Sequence, residues 1–271
     1  MNHPGTPLET LTDKLVARKD GNIGWIVFNN PARHNAVSLE MWQSLTNVLN
    51  AYAKDPEVRV IILRGEGEKA FVAGADISQF KEKRSSPEAV AHYNATADEA
   101  GETLRNSPKP TVAMIRGYCI GGGTGIAVSC DIRIAADDAR FGVPAAKLGL
   151  GYRFAGIKRL ADIVGPSFAA EIFYTGRQFT AQEALQMNLI NRLVPAADLE
   201  KATLEFANTV GNNAPLTIAS VKRALLEYSK DADERDLAGC QKMVEDCYTS
   251  EDYKEGQTAF MEKRKPVFNG R

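Results

Sequence analysis

Histidine is scarce in this chain, with three in 271 residues, at positions 3, 34 and 92. None stands in a His/carboxylate or His/Cys spacing, which argues against a metal site or a nucleophilic triad. The four cysteines, Cys119, Cys130, Cys240 and Cys247, lack CxxC spacing. A chain of this length needs no disulfide staples, so a reduced, cytoplasmic protein is expected. Basic excess is absent too: 33 Lys and Arg face 34 Asp and Glu, for a formal net charge of −1. With no clustered basic tract, neither nucleic acid nor a membrane surface is expected as a partner. Residues 1–12 are polar and hold no continuous apolar run, so no signal peptide or transmembrane helix is expected there. Walker and Rossmann fingerprints are also missing, because Gly121 to Gly125 lacks G-x-G-x-x-G spacing and a partner acid.

What is present is a stretch from Thr111 to Asp131. An apolar, β-prone run (Thr111 to Ile115) meets a turn at Gly117, and Gly121-Gly-Gly123 opens a buried helix through Val128. A helix start leaves backbone N–H groups without internal partners, and glycines let another molecule approach them. Upstream, Ile23 to Phe28 and Val58 to Leu63 read as strands. Ser38 caps a helix carrying Met41, Leu45, Val48, Leu49 and Tyr52 at helical spacing. A second glycine element spans Phe71 to Ile77. Ser86-Pro87 begins a helix reaching about Arg105, and Ile132 to Ala136 is a further strand.

The order strand, strand, helix occurs twice, which implies a layered α/β fold. Phe141 to Gly156 is glycine-rich and reads as an irregular, site-lining loop. Pro166 starts a helix closed near Gly176, and Thr180-Ala-Gln-Glu183 is a capping box for the next. The expected organisation is a loose tail over 1–14, a core over 15–197 and a helical region over 198–271. The two glycine elements each follow a strand, and convergent backbone N–H groups from both would form an oxyanion hole.

Phe71-Val-Ala-Gly-Ala-Asp-Ile77 and Gly117-Tyr-Cys-Ile-Gly-Gly-Gly123 resemble the signature elements of the crotonase (enoyl-CoA hydratase/isomerase) superfamily. Asn30-Pro31 with Asn35-Ala36, Cys130-Asp131, Phe141-Gly142, Thr175-Gly176 and Phe260 to Pro266 match in order. The resemblance implies a crotonase-like spiral of repeated β-β-α units, followed by a helical oligomerisation region. It further implies a homo-oligomer, a trimer or dimer of trimers, acting on acyl-CoA thioesters, with coenzyme A entering only as part of the substrate and no other cofactor. Carried over by position, the oxyanion hole is the N–H of Ala75 and of Gly122. Ala73 and the loop around Arg33 border the CoA nucleotide, and Asp76 and Ile77 join them on the substrate-binding side. Phe260 and Lys263 of a neighbouring subunit contact the adenine and phosphate.

The family's hydratases carry one glutamate shortly after the triple glycine and another after a proline in the Phe-Gly loop. Adding water across a double bond requires both water activation and protonation at carbon. This chain has Gly125 and Ala145 at those places. Ordinary two-glutamate hydration is therefore not expected. Asp131, at the helix end, is expected to hold backbone and Arg133. Lys147, Tyr152 and Arg153 are the replacement candidates, since the loop from Pro144 to Lys158 resembles that of a family decarboxylase whose matching tyrosine faces the substrate carboxylate. Three readings follow: a lyase using Tyr152, a hydratase or isomerase with a relocated base, and a non-catalytic CoA-thioester-binding protein.

Overall fold

A computed structural model describes residues 5–76 and 86–271. Among these, β1 (Thr6–Leu8), β2 (Leu15–Asp20), β3 (Ile23–Phe28), β4 (Val60–Gly65), β6 (Thr111–Ile115), β8 (Ile132–Ala136) and β11 (Arg192–Val194) form a seven-stranded sheet in that order. The first two pairings are antiparallel and the rest parallel. A second sheet runs β10 (Phe179–Thr180), β9 (Arg140–Gly142), β7 (Tyr118–Ile120), β5 (Ala70–Val72).

The chain alternates between the two sheets. Each strand β4, β6 and β8 is followed by a short strand in the small sheet and then by a helix: α2 (Pro87–Arg105), α3 (Gly122–Ser129) and α4 (Phe154–Thr175) respectively. The repeated β-β-α spiral is thus the observed fold, with three such units rather than the two legible in the sequence. The missed strands are only three residues long, below the length at which a period-2 pattern can be told from a turn.

Period-2 alternation divides the large sheet into two apolar faces. Ile26, Phe28, Ile61, Leu63, Ala113, Ile115 and Ala135 belong to the main core with α1 (Leu39–Lys54), α2 and α3. Trp25, Val60, Ile62, Val112, Met114 and Ile134 pack with Leu199 and Ala207 of α6 (Leu199–Gly211). Burial on both faces explains why the parallel strands read as continuous apolar runs. It also ties α6, the first helix of the expected helical region, to the sheet. The remaining α-helices among the described residues are α5 (Ala181–Gln186), α7 (Pro215–Tyr228), α8 (Leu237–Thr249) and α9 (Glu251–Met261).

Local signals are realised at the helix starts. Ser38 Oγ accepts from Met41 N (3.3 Å), Ser86 Oγ from Ala89 N (3.2 Å), and Thr180 and Glu183 form a reciprocal capping box. Three expectations change. Within the expected loose tail, Thr6–Leu8 pairs with β2, in register with Lys19 to Ala17. Helix α4 begins at Phe154, inside the stretch expected to be irregular, and is kinked at Gly165 (φ 77°), so Pro166 opens only its second half. Asp131 accepts from Thr111 N (2.7 Å), Thr111 Oγ1 (3.0 Å) and Lys222 Nζ (2.7 Å). Arg133 instead donates to the carbonyls of Leu189 and Cys130, because a buried guanidinium takes whichever acceptors end nearby elements.

Asn35 joins the site loop to the sheet. It adopts a left-handed backbone (φ 57°), is fully buried, and its Nδ2 donates to Ala70 O (2.7 Å) and Glu66 O (3.0 Å) while its Oδ1 accepts from Asn30 N (3.0 Å). Asn35→Ala is expected to cost about 2–4 kcal/mol, since it strands buried backbone groups and places alanine at positive φ. Urea denaturation reads this directly; a change under 1 kcal/mol would show that the three bonds are dispensable.

Candidate active site: two backbone donors at a glycine junction

The first half of the site is the segment Ala73 to Asp76, which follows β5. It is held by the segment before α1: Ala73 N donates to His34 O (3.0 Å), Val37 N to Gly74 O (2.9 Å) and Asp76 N to Val37 O (3.0 Å). Val37 and Ala75 form a parallel bridge. These bonds flank Ala75, so by strand alternation its own N–H points away from Val37. Tyr93 Oη donates to Val37 O (3.1 Å) and accepts from Trp42 Nε1 (3.0 Å), which braces the arrangement from α1 and α2.

The second half is the start of α3. Gly121 has φ 56° and ψ −111°, a backbone that disfavours any side chain, and its N donates to Gly142 O (2.8 Å). Gly122 N–H is the first of the helix and has no intrahelical acceptor. A Cβ at Gly122 would lie 3.7 Å from Gly74 C and 3.9 Å from Ala75 N, and one at Gly121 would lie 3.9 Å from Gly74 Cα. The two glycine elements therefore meet. Among the described residues, neither Ala75 N–H nor Gly122 N–H donates a hydrogen bond to the protein.

Gly123 is required by packing. A Cβ there would lie 2.0 Å from Val72 O. Gly125 is different: among the described residues outside its own helix, no atom lies within 4 Å of a Cβ built on it. Ala145 is buried in a short 3-10 turn (Pro144–Leu148). Neither position supplies a proton-transfer group. The buried thiols on either side of this helix do not substitute: burial pushes Cys119 of β7 well above the ordinary thiol value and Cys130, which caps the end of α3, up to about 12, so both stay protonated.

The other predicted residues divide between two places. Arg33 is exposed at the end of a 3-10 turn (Pro31–Arg33), one residue before the His34 carbonyl that binds Ala73 N. Arg33, Ala73, Ala75, Asp76 and Gly122 thus surround one junction, with Asp76 7% exposed; Ile77 lies outside the described residues. Lys147 is exposed and lays its aliphatic stem along Gly176, where a Cβ would meet its Cγ at 3.3 Å. Phe260 is 86% exposed at the end of α9, and Lys263 follows in a left-handed turn (φ 54°). Phe260 also lines a cavity of about 630 Å³ among α7, α8, α9 and Phe268. That cavity is lined by helical-region residues and shares none with the glycine junction.

Tyr152 packs its ring on Phe173 (centroids 4.8 Å apart) and over Gly156, where a Cβ would meet the ring at 2.8 Å. The residue as a whole is 37% exposed, with its ring packed on these neighbours. This burial pushes its pKa above the ordinary phenol value, against the opposing charges of Arg153 and Arg159. It is therefore a protonated donor at neutral pH. Arg153 pairs with Asp98 of α2, and Arg159 pairs with Glu102 and donates to Ser129 Oγ (3.2 Å). Asp98, Glu102 and Arg159 were invisible to sequence reasoning. They sit in an ordinary amphipathic helical pattern, and only the packing of α2 against α3 and α4 groups them.

A β-β-α spiral thus brings two unbonded backbone N–H groups close together at a glycine junction. The sequence profile of the enoyl-CoA hydratase/isomerase family matches residues 18–271, and the chain belongs to that family. It is 34% identical over 253 residues to the short-chain-enoyl-CoA hydratase of Clostridium acetobutylicum, covering 93% of this chain and 96% of that protein. With the crotonyl-CoA hydratase of Syntrophomonas wolfei it shares 32% identity over 256 residues, covering 94% and 98%. The crystal structure of an enoyl-CoA hydratase/carnithine racemase from Magnetospirillum magneticum superposes with a TM-score of 0.90 at 33% identity, covering 96% and 97%.

Proposed function

We propose that this chain binds an acyl-CoA thioester and stabilises its enolate between the N–H groups of Ala75 and Gly122, without the two-carboxylate chemistry of ordinary hydration. The observation that carries the reading is the junction itself: two unbonded donors together, in a chain with no side chain at Gly125 and only a methyl group at Ala145. Fixed donors aimed at a developing oxyanion stabilise it without reorganisation. The bond from Ala73 N to His34 O, next to Arg33, supports a CoA nucleotide running along that loop, beside Asp76. Phe260 and Lys263, remote from the junction on their own chain, fit a CoA contact made across a subunit boundary. Exposed apolar residues on the C-terminal helices, among them Leu225, Tyr228, Val244 and Tyr248, support the trimer or dimer of trimers. No helix among the described residues is long and apolar enough to cross a membrane.

A second reading is a decarboxylase. It is favoured by the protonated Tyr152 hydroxyl, which feels the charges of Arg153 and Arg159, an environment suited to a substrate carboxylate. Lys147 lies along Gly176 and gives that reading less support. A non-catalytic thioester binder is the remaining alternative. One set of measurements separates them: direct acyl-CoA binding, with crotonyl-CoA, a 3-enoyl-CoA and malonyl-type CoA esters as substrates. Binding is expected, with crotonyl-CoA hydration far below the roughly 1–10³ s⁻¹ usual for enzymes. Hydration within that range would overturn the reading. Malonyl-type turnover abolished in Tyr152→Phe, with binding intact, would establish the decarboxylase.

A further inference from the structure

The empty place at Gly125 has identifiable neighbours. Ser129 lies one turn further along α3, on the same helix face, and its Oγ donates to Gly125 O (2.9 Å). The same Oγ meets Arg159 Nη1, and a Cβ at Gly101 of α2 would lie 2.9 Å from that Nη1 and 3.9 Å from Ser129 Oγ. At the other end of α3, a Cβ at Gly122 would lie 3.7 Å from Trp42 Cζ2, whose indole N–H reaches Tyr93 of α2. Helices α2 and α3 therefore run alongside each other, with the Tyr93 hydroxyl linked through Trp42 to the Gly122 end and Gly101 near Ser129. The intervening turn of α2, Ala97 and Asp98, lies level with Gly125. Ala97 packs into the core, and Asp98 stands at its flank, paired with Arg153 beside Tyr152.

We infer that Asp98 is the proton-transferring carboxylate of this chain, reaching from α2 into the space that Gly125 leaves open. Asp98 and Arg153 are each about half exposed (48% and 50% for the side chains). Such a pair is weak enough for the carboxylate to leave its partner when substrate enters. A single carboxylate cannot both activate water and protonate carbon, but it suffices for a 1,3-proton shift. With a 3-enoyl thioester, the Asp98 carboxylate takes a proton from C-2. The C–H electron pair becomes a dienolate whose charge rests on the thioester oxygen between Ala75 N–H and Gly122 N–H. The carboxylic acid then returns that proton to C-4 as the double bond moves to C-2/C-3. No water, oxidant or second acid is consumed.

This inference rests on the thioester-enolate reading, and the test separates the two. The full-length protein is assayed for isomerisation of a 3-enoyl-CoA, for solvent deuterium uptake at C-2 of butyryl-CoA, and for butyryl-CoA binding. Asp98→Asn is expected to lower both reactions by about 10²–10⁴-fold with binding unchanged. Asp98→Glu, which keeps a carboxylate, should restore part of the rate. Glu102→Gln, which breaks the neighbouring ion pair on the same helix, should stay within about threefold of wild type, the range in which surface ion pairs act. Retained activity in Asp98→Asn, equal losses in Asp98→Asn and Glu102→Gln, or a wild type that binds butyryl-CoA yet catalyses neither reaction would each overturn the assignment. Failure of the wild type to bind acyl-CoA at all would instead remove the reading beneath it. Melting temperatures of the variants exclude unfolding as the cause.

Discussion

Gly123→Ala is expected to lower thioester turnover by at least about 10²-fold, the scale on which oxyanion donors act, and to destabilise the fold by about 1–3 kcal/mol. The cause is geometric. The added Cβ would sit 2.0 Å from Val72 O and 2.9 Å from Val72 C, which are backbone atoms of a buried strand and cannot swing aside. Helix α3 must then move off β5, and Gly122 N–H moves with it relative to Ala75. Gly125→Ala, two residues on in the same helix, is the matched control. Among the described residues outside its own helix, nothing lies within 4 Å of its Cβ, and alanine in a helix interior is favoured over glycine by roughly 0.5–1 kcal/mol. Denaturation of both variants and C-2 proton exchange in Gly123→Ala decide the matter. Equal stability of the two, or full exchange in Gly123→Ala, would mean that the contact with Val72 does not hold the donors in place.

The second large effect is a gain. In the double variant Gly125→Glu with Ala145→Glu, crotonyl-CoA hydration is expected to rise by about 10²-fold or more over wild type, the scale of general acid–base assistance. Each single variant should gain much less, because water activation and carbon protonation are separate tasks. Room exists at position 125, which is open. Position 145 is tighter: the residue is 6% exposed, and its carbonyl accepts from Gly149 N and from Leu150 N (3.0 Å). Those bonds leave its side chain as the only part that must change direction. Steady-state hydration of crotonyl-CoA by the four proteins provides the measurement. A double variant no faster than wild type would show that the missing carboxyl groups are not what limits hydration.

Several features were legible because they are local. Ser38, Ser86 and the Thr180–Glu183 box act within one turn of their own helices, so their residue types suffice to locate them. The long apolar strands were legible for a similar reason, since a strand buried on both faces has no polar residue to interrupt it. The start of α4 was misread because Gly149, Gly151 and Gly156 carry the composition of a loop. There the packing of Leu160 and Val164 into the core outweighs weak helix propensity. Thr6–Leu8 was read as part of a tail because its pairing partners, Lys19 to Ala17, lie in another strand, and a Thr-Pro-Leu triplet carries no strand pattern.

The sequence by itself determined the family, the glycine elements that carry Ala75 and Gly122, and the absence of a carboxyl group at positions 125 and 145. These are statements about residue identity in a fixed order, and no folding is needed to read them. Only the tertiary structure decided that Gly74 and Gly122 meet, that Lys222 rather than Arg133 answers Asp131, and that Asp98 stands level with the open place at Gly125. The distances in question separate residues 27 to 91 positions apart. They are set by how α2, α3 and α7 pack around two sheets, a long-range outcome that no local periodicity contains.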